Sequence, residues 1–151
     1  MTKAVKSSQD TVDTKRALSR TIGEVSRLWR YQMNQRLKPF GLNLSMRQVL
    51  MQLHRNPAGL MQRDLARKLG IEGATLVRLL DQLEEKKWIQ RITASDDKRC
   101  KHAVLTSKAT EQIRLIEELS SELRNAMMQA LSPHDIAMCV RVMQRIKDNL
   151  E

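Results

Sequence analysis

Apolar residues recur every three or four positions over Leu18, Ile22, Val25, Trp29, Met33 and Leu37, which lays one stripe along a helix. The spacing predicts a long first helix from about Lys15 to Lys38, stopped by Pro39-Phe40-Gly41. A second helix is expected over Ser45–His54, ended by Asn56-Pro57-Ala58-Gly59. A short helix over Met61–Leu69 places Leu65, Ala66 and Leu69 on one face, and Gly70 closes it. The next helix, over 73–86, carries a stripe of Leu76, Leu79, Leu80 and Leu83. The period then changes. Residues 88–93 and 101–105 suit two strands, joined by a polar, charged hairpin tip over 94–100. Helical spacing returns at Ile113, Ile116, Leu119, Leu123 and Met127, within a helix predicted over about 107–131. Ser132-Pro133-His134-Asp135 restarts a last helix, with Ser132 able to cap, Pro133 suited to the first turn and Asp135 suited to the positive helix end. Residues 1–12 are polar and are expected to form a disordered tail.

This order predicts a mainly α fold with a small β-hairpin wing. A short helix, a glycine turn, a second helix and a charged hairpin together form a winged helix-turn-helix lobe, here over about 44–106. The helices over about 13–38 and 107–150 have apolar faces that a small lobe cannot cover alone, so they are expected to form a helical dimerisation region. Residues 13–151 then make a single domain.

Composition supports this picture. Aromatic residues are only 3% of the chain, against nine Met and many Leu and Ile, a mixture suited to helical packing. The net charge of +10 favours a polyanionic partner. That charge is uneven: residues 1–58 carry 11 bases and 3 acids, whereas 107–151 carry 6 and 7. No stretch approaches the roughly 20 apolar residues of a membrane span, and Met1–Asp10 lacks the apolar core of a signal peptide. Cys100 and Cys139 lie far apart without a CxxC pattern, which argues against a disulfide framework and fits a cytoplasmic setting.

With the leucines of the 73–86 helix turned to the core, Ala74, Thr75, Arg78 and Gln82 point away from it. Together with Gly73 at its start, they form the candidate recognition surface for double-stranded DNA. Arg donates two hydrogen bonds to guanine, Thr offers a hydroxyl or a methyl, and a small Ala lets the helix approach closely. Asp81 and Glu85 lie farther along the outward side and would repel phosphates, so the N-terminal half is expected to insert. At the hairpin tip, Lys98 and Arg99 are candidates for a minor groove, with Asp97 placed to brace Arg99. Cys100 sits among Lys98, Arg99 and Lys101, cations that favour a thiolate and so an oxidation site, although an inert wing cysteine is the favoured reading.

Asp97-Lys98-Arg99, followed after five residues by Leu105-Thr106, resembles the D-x-R…L-T wing signature of the MarR family of regulators. The run from Gly70 to Lys86 resembles the SlyA branch of that family, as do Arg27-Leu28-Trp29-Arg30 and Arg36-Leu37-Lys38-Pro39. The resemblance covers about residues 15–150. It implies a homodimer whose first and last helices interlock, with two winged lobes on a pseudo-palindromic site. It also implies release by small phenolic or aromatic acids bound between the dimer helices and the lobe. The candidate lining here is Trp29, Arg30, Met33, Ser45 and Arg47, an apolar floor with cations suited to an organic anion. Three positions depart from the pattern. Lys87 stands where relatives commonly have Gly, Met46-Arg47 replaces a His-Trp pair, and Cys100 is not at the first-helix position of peroxide-sensing members.

His54, His102 and His134 are scattered, and no Cys/His/Asp cluster has the spacing of metal ligands. No catalytic or cofactor motif is present: there is no G-x-S-x-G, P-loop or G-x-G-x-x-G. The expected function is therefore a sequence-specific transcriptional regulator rather than an enzyme. The alternative is an architectural protein that coats DNA with little sequence preference.

Overall fold

The computed structural model of the protein describes the backbone of residues 2–93 and 101–151, and the side chains of residues 11–92 and 102–151. The elements follow the chain as α1 (Thr2–Leu37), a 3-10 turn (Lys38–Phe40), α2 (Leu44–His54), β1 (Leu60–Met61), α3 (Gln62–Leu69) and α4 (Gly73–Glu85). After them come β2 (Ile89–Thr93), β3 (Lys101–Leu105), α5 (Ser107–Met127) and α6 (Pro133–Asp148). The chain divides into two compact units, Met1–Ile116 and Glu117–Glu151.

The expectation of a disordered tail over residues 1–12 is corrected, because α1 starts at Thr2. No Gly or Pro occurs from residue 2 to residue 22, so nothing in the sequence breaks the backbone ladder. The side chains of Thr11–Thr21 are all exposed, and this stretch is helical without burying a side chain. At its other end α1 enters the core of the first unit through Met33 and Leu37, both fully buried. Pro39 and the left-handed Gly41 then turn the chain, with the Gly41 amide donating to the Lys38 carbonyl at 2.9 Å.

Helix α2 begins one residue before the expected Ser45. Asn43 caps it, its Oδ1 accepting from the Met46 amide at 2.9 Å, while Asn34 of α1 accepts from the Leu44 amide at 2.8 Å. Met46, Val49, Leu50 and Leu53 of α2 are buried, as are Leu65 of α3 and Leu76, Leu79, Leu80 and Leu83 of α4. Burying each such leucine contributes about 1.5–3 kcal/mol. That is enough for the leucine stripe to fix the rotation of α4 about its own axis. Gly70 separates α3 from α4 at φ 63, and the Ile71 amide donates back to the Ala66 carbonyl at 3.1 Å.

The sheet has three antiparallel strands in the order β1-β3-β2, where the sequence predicted two. Ile89–Thr93 pairs with Lys101–Leu105, the hairpin that the alternation predicted. The third strand is Leu60–Met61, paired with Ala103 and His102, so Met61 is a strand residue and not the start of α3. Gly59 makes this pairing sterically accessible. A Cβ at that position would lie 2.6 Å from Val104 Cγ1 and 2.9 Å from the Ala103 carbonyl oxygen.

Between α4 and β2, Lys87 adopts φ 60, the left-handed conformation that favours Gly. Its amide donates to Glu84 O, and the Trp88 amide donates to Leu83 O, both at 2.9 Å. Thr106 locks the same joint from the far strand: its hydroxyl donates to the Lys87 carbonyl at 2.8 Å and accepts from the Ala109 amide at 3.2 Å.

In the second unit, α5 ends at Met127, short of the expected Leu131, and Ala130 turns the chain at φ 66. Ser132 caps α6 as expected: its hydroxyl accepts from the Asp135 amide at 3.1 Å, and Asp135 accepts in return from the Ser132 amide at 3.3 Å. No residue of α6 is buried. No helix among the described residues is long and apolar enough to cross a membrane.

Candidate nucleic-acid interface

The rotation fixed by the α4 leucines decides which side chains reach outward. Gly73, Ala74, Thr75, Arg78 and Gln82 are all exposed, as the helical spacing predicts. Val77 is exposed as well, an apolar group on this surface that the sequence analysis did not single out. Helix α3 adds the exposed Arg63, Arg67 and Lys68, with Arg67 paired to Asp64 at 2.8 Å. The result is a short helix, a glycine turn and a second helix with a polar and basic outer face, the arrangement by which such motifs present a helix to a groove.

Two acids of α4, Asp81 and Glu84, have a partner on the sheet. Arg91 of β2 reaches across to them, one guanidinium nitrogen donating to Asp81 Oδ1 at 2.5 Å and another lying 3.2 Å from Glu84 Oε2. Its backbone amide donates to Glu84 Oε1 at 3.1 Å. The Arg91 side chain is 17% exposed, and its Nε is buried without a partner. Asp81 and Glu85 are exposed on the outward side, as expected, and the pairing of Asp81 with Arg91 is the feature that the helical spacing did not reveal. Arg91 escaped the sequence analysis because its contact spans ten residues and depends on how the Lys87 joint turns the chain.

The wing residues Asp97, Lys98 and Arg99 lie outside the described residues, as does Cys100. The two strands that carry the segment are in place, and Thr93 pairs with Lys101 at its base.

The residues suggested for an anion pocket differ in accessibility. Arg30 and Ser45 are exposed, Trp29 and Arg47 are half-buried, and Met33 is fully buried in the core of its unit. Met33 thus packs within the core of its unit. Among the described residues, no group of three or more His, Cys, Asp or Glu could hold a metal ion. Cys139 is a free, exposed thiol on α6.

A model of the MarR family matches residues 40–99, the stretch from the first turn through α2, α3 and α4 into the wing. The transcriptional regulator PA3341 is 37% identical, with 88% of this chain and 97% of that one aligned and a TM-score of 0.75. AbsC, a MarR family transcriptional regulator from Streptomyces coelicolor, is 26% identical over 91% of this chain and 95% of its own, with a TM-score of 0.81. MepR from S. aureus, solved as a complex with DNA, shares the fold at 23% identity over 88% of this chain and 96% of its own, with a TM-score of 0.79. A helix-turn-helix lobe with its wing strands, joined to long flanking helices, agrees with these likenesses over nearly the whole length of each relative, and the chain belongs to the MarR family of winged-helix, DNA-binding transcriptional regulators.

Proposed function

We propose that this protein binds specific double-stranded DNA sites as a homodimer and regulates transcription there. The carrying observation is the outer face of α4, where Ala74, Thr75, Arg78 and Gln82 stand exposed opposite four buried leucines. Arg78 is placed to read guanine, and Thr75 and Gln82 to read neighbouring bases. Arg63 and Lys68 of α3 are suited to the flanking phosphates. Lys98 and Arg99 of the wing, braced by Asp97, would enter the adjacent minor groove. The complex of MepR with DNA supports this reading by analogy of fold.

The finer features rest on the sequence resemblance. The run Gly70–Lys86 and the Arg27–Pro39 region favour a SlyA-like branch, pseudo-palindromic sites and a nucleoid-associated cytoplasmic protein. Release by a small organic anion would use Trp29, Arg30, Ser45 and Arg47, with the buried Met33 forming the floor beneath them. A bound ligand would act by preferring the DNA-free spacing of the two lobes, and DNA would weaken the ligand by the same factor.

Replacing Arg78 tests the central claim. Arg78→Ala should cost about 1–3 kcal/mol on a duplex selected by the wild-type protein, with little loss on random duplex. Equal weakening on both would make Arg78 a phosphate contact and remove the base-reading role.

A further inference from the structure

We propose that Arg91 is a positioning residue for the recognition helix. It offsets part of the negative charge of Asp81 and Glu84 where α4 faces outward, and it ties to α4 the strand that leads into the wing. The proposal rests on the DNA-binding reading above.

Asp81 lies seven residues after Ala74, which returns it to nearly the same angle on the helix. Both lie almost opposite the buried Leu76, Leu79, Leu80 and Leu83, with Arg78 beside them. A bare carboxylate on that line would meet the dense negative charge of the DNA backbone. Arg91 supplies the counter-charge from a different element. Its guanidinium engages Asp81 at 2.5 Å and Glu84 at 3.2 Å, and its own amide donates to Glu84 at 3.1 Å.

One fork thus holds two carboxylates one helical turn apart, which the single ammonium of a lysine does not reproduce. The carboxylates themselves stay accessible, at 57% exposure for Asp81 and 41% for Glu84. Ion pairs at that exposure add little to folding stability. What the arrangement does change is the charge that α4 presents and the angle at which β2 leaves it. Arg91 is two residues before Thr93, the last residue before the segment carrying Asp97, Lys98 and Arg99. A tether there sets the base of the wing against the helix that reads the groove.

The test compares wild type, Arg91→Ala, and Arg91→Ala combined with Asp81→Asn and Glu84→Gln. Binding is measured on a duplex selected from random sequence by the wild-type protein, at low and at raised salt. We expect Arg91→Ala to weaken binding about tenfold or more at low salt, since like charges are then juxtaposed. The gap should narrow as salt screens the repulsion. Neutralising the two acids should restore most of the lost affinity. A triple variant as weak as Arg91→Ala, with the salt slope lowered by about one unit, would make Arg91 a plain phosphate contact and overturn the proposal. Wild-type affinity in Arg91→Ala would overturn it as well. If Arg91→Ala does not fold, Arg91→Gln carries the same comparison, keeping length and a donor without the charge. If the wild-type protein prefers no duplex, the DNA-binding reading has failed and the tether is judged without DNA. Amide exchange over residues 89–93 should then be faster in Arg91→Ala than in wild type, and equal exchange would overturn the tether.

Discussion

Lys87 holds a left-handed backbone, φ 60, at the joint between α4 and β2. A side chain there costs roughly 1 kcal/mol relative to Gly. Lys87→Gly should therefore raise the melting temperature by about 2–4 °C for a chain of this size. A fall in melting temperature would show that the Lys87 side chain contributes more than its backbone strain removes. This site was legible in the sequence as a departure from the family pattern, because a glycine is wanted where a helix closes before a strand. The outward set of Ala74, Thr75, Arg78 and Gln82 was legible for a different reason. Four leucines in one stripe leave a helix a single way to face the core, and every other position follows from their rotation. Arg91 was not legible. Its partners lie ten and seven residues back, and only the turn at Lys87 brings β2 alongside α4. The cap Asn43 was not singled out, because the apolar spacing gave the start of α2 only as about Ser45; Asn43 caps the helix and Asn34 accepts from the Leu44 amide beside it.

Among the elements, periodicity located each long helix, but the ends of α1 and α5 and the short strand β1 were not set by it. Strand β1 is two residues long and has no alternation to detect; its pairing with β3 depends on Gly59 lying against Ala103 and Val104. The N-terminal part of α1 was misjudged for the opposite reason. Its sequence is polar and buries nothing over Thr11–Thr21, yet it contains no helix breaker before Gly23. The wing belongs to this scale too. Lys98 and Arg99 lie in the sequence between Thr93 and Lys101, which pair at the strand base, and two cations there would neutralise phosphates independently of base reading. Lys98→Ala with Arg99→Ala should weaken binding to selected and random duplex alike. It should also flatten the salt dependence by about one unit of slope per lost contact. An unchanged slope and affinity would remove the wing from the interface.

At the scale of the molecule, most of the exposed large apolar groups among the described residues are on the flanking helices. Met138, Val140 and Met143 are exposed on α6, and Leu18, Val25, Leu28 and Tyr31 on α1. We propose that a second copy of the chain covers this surface. Sedimentation at micromolar concentration should show a dimer, and a stable folded monomer would contradict that assembly. The net charge of +10 was plain from composition, yet charge alone does not separate a regulator from a protein that coats DNA. Specificity separates them. The most direct test is the ratio of affinities for a selected duplex and a random duplex of equal length, measured at physiological salt and mapped by footprinting. Sequence reading through α4 predicts roughly a thousandfold preference or more and a bounded footprint. Affinities within about threefold of each other, with protection spread along the whole duplex, would contradict it.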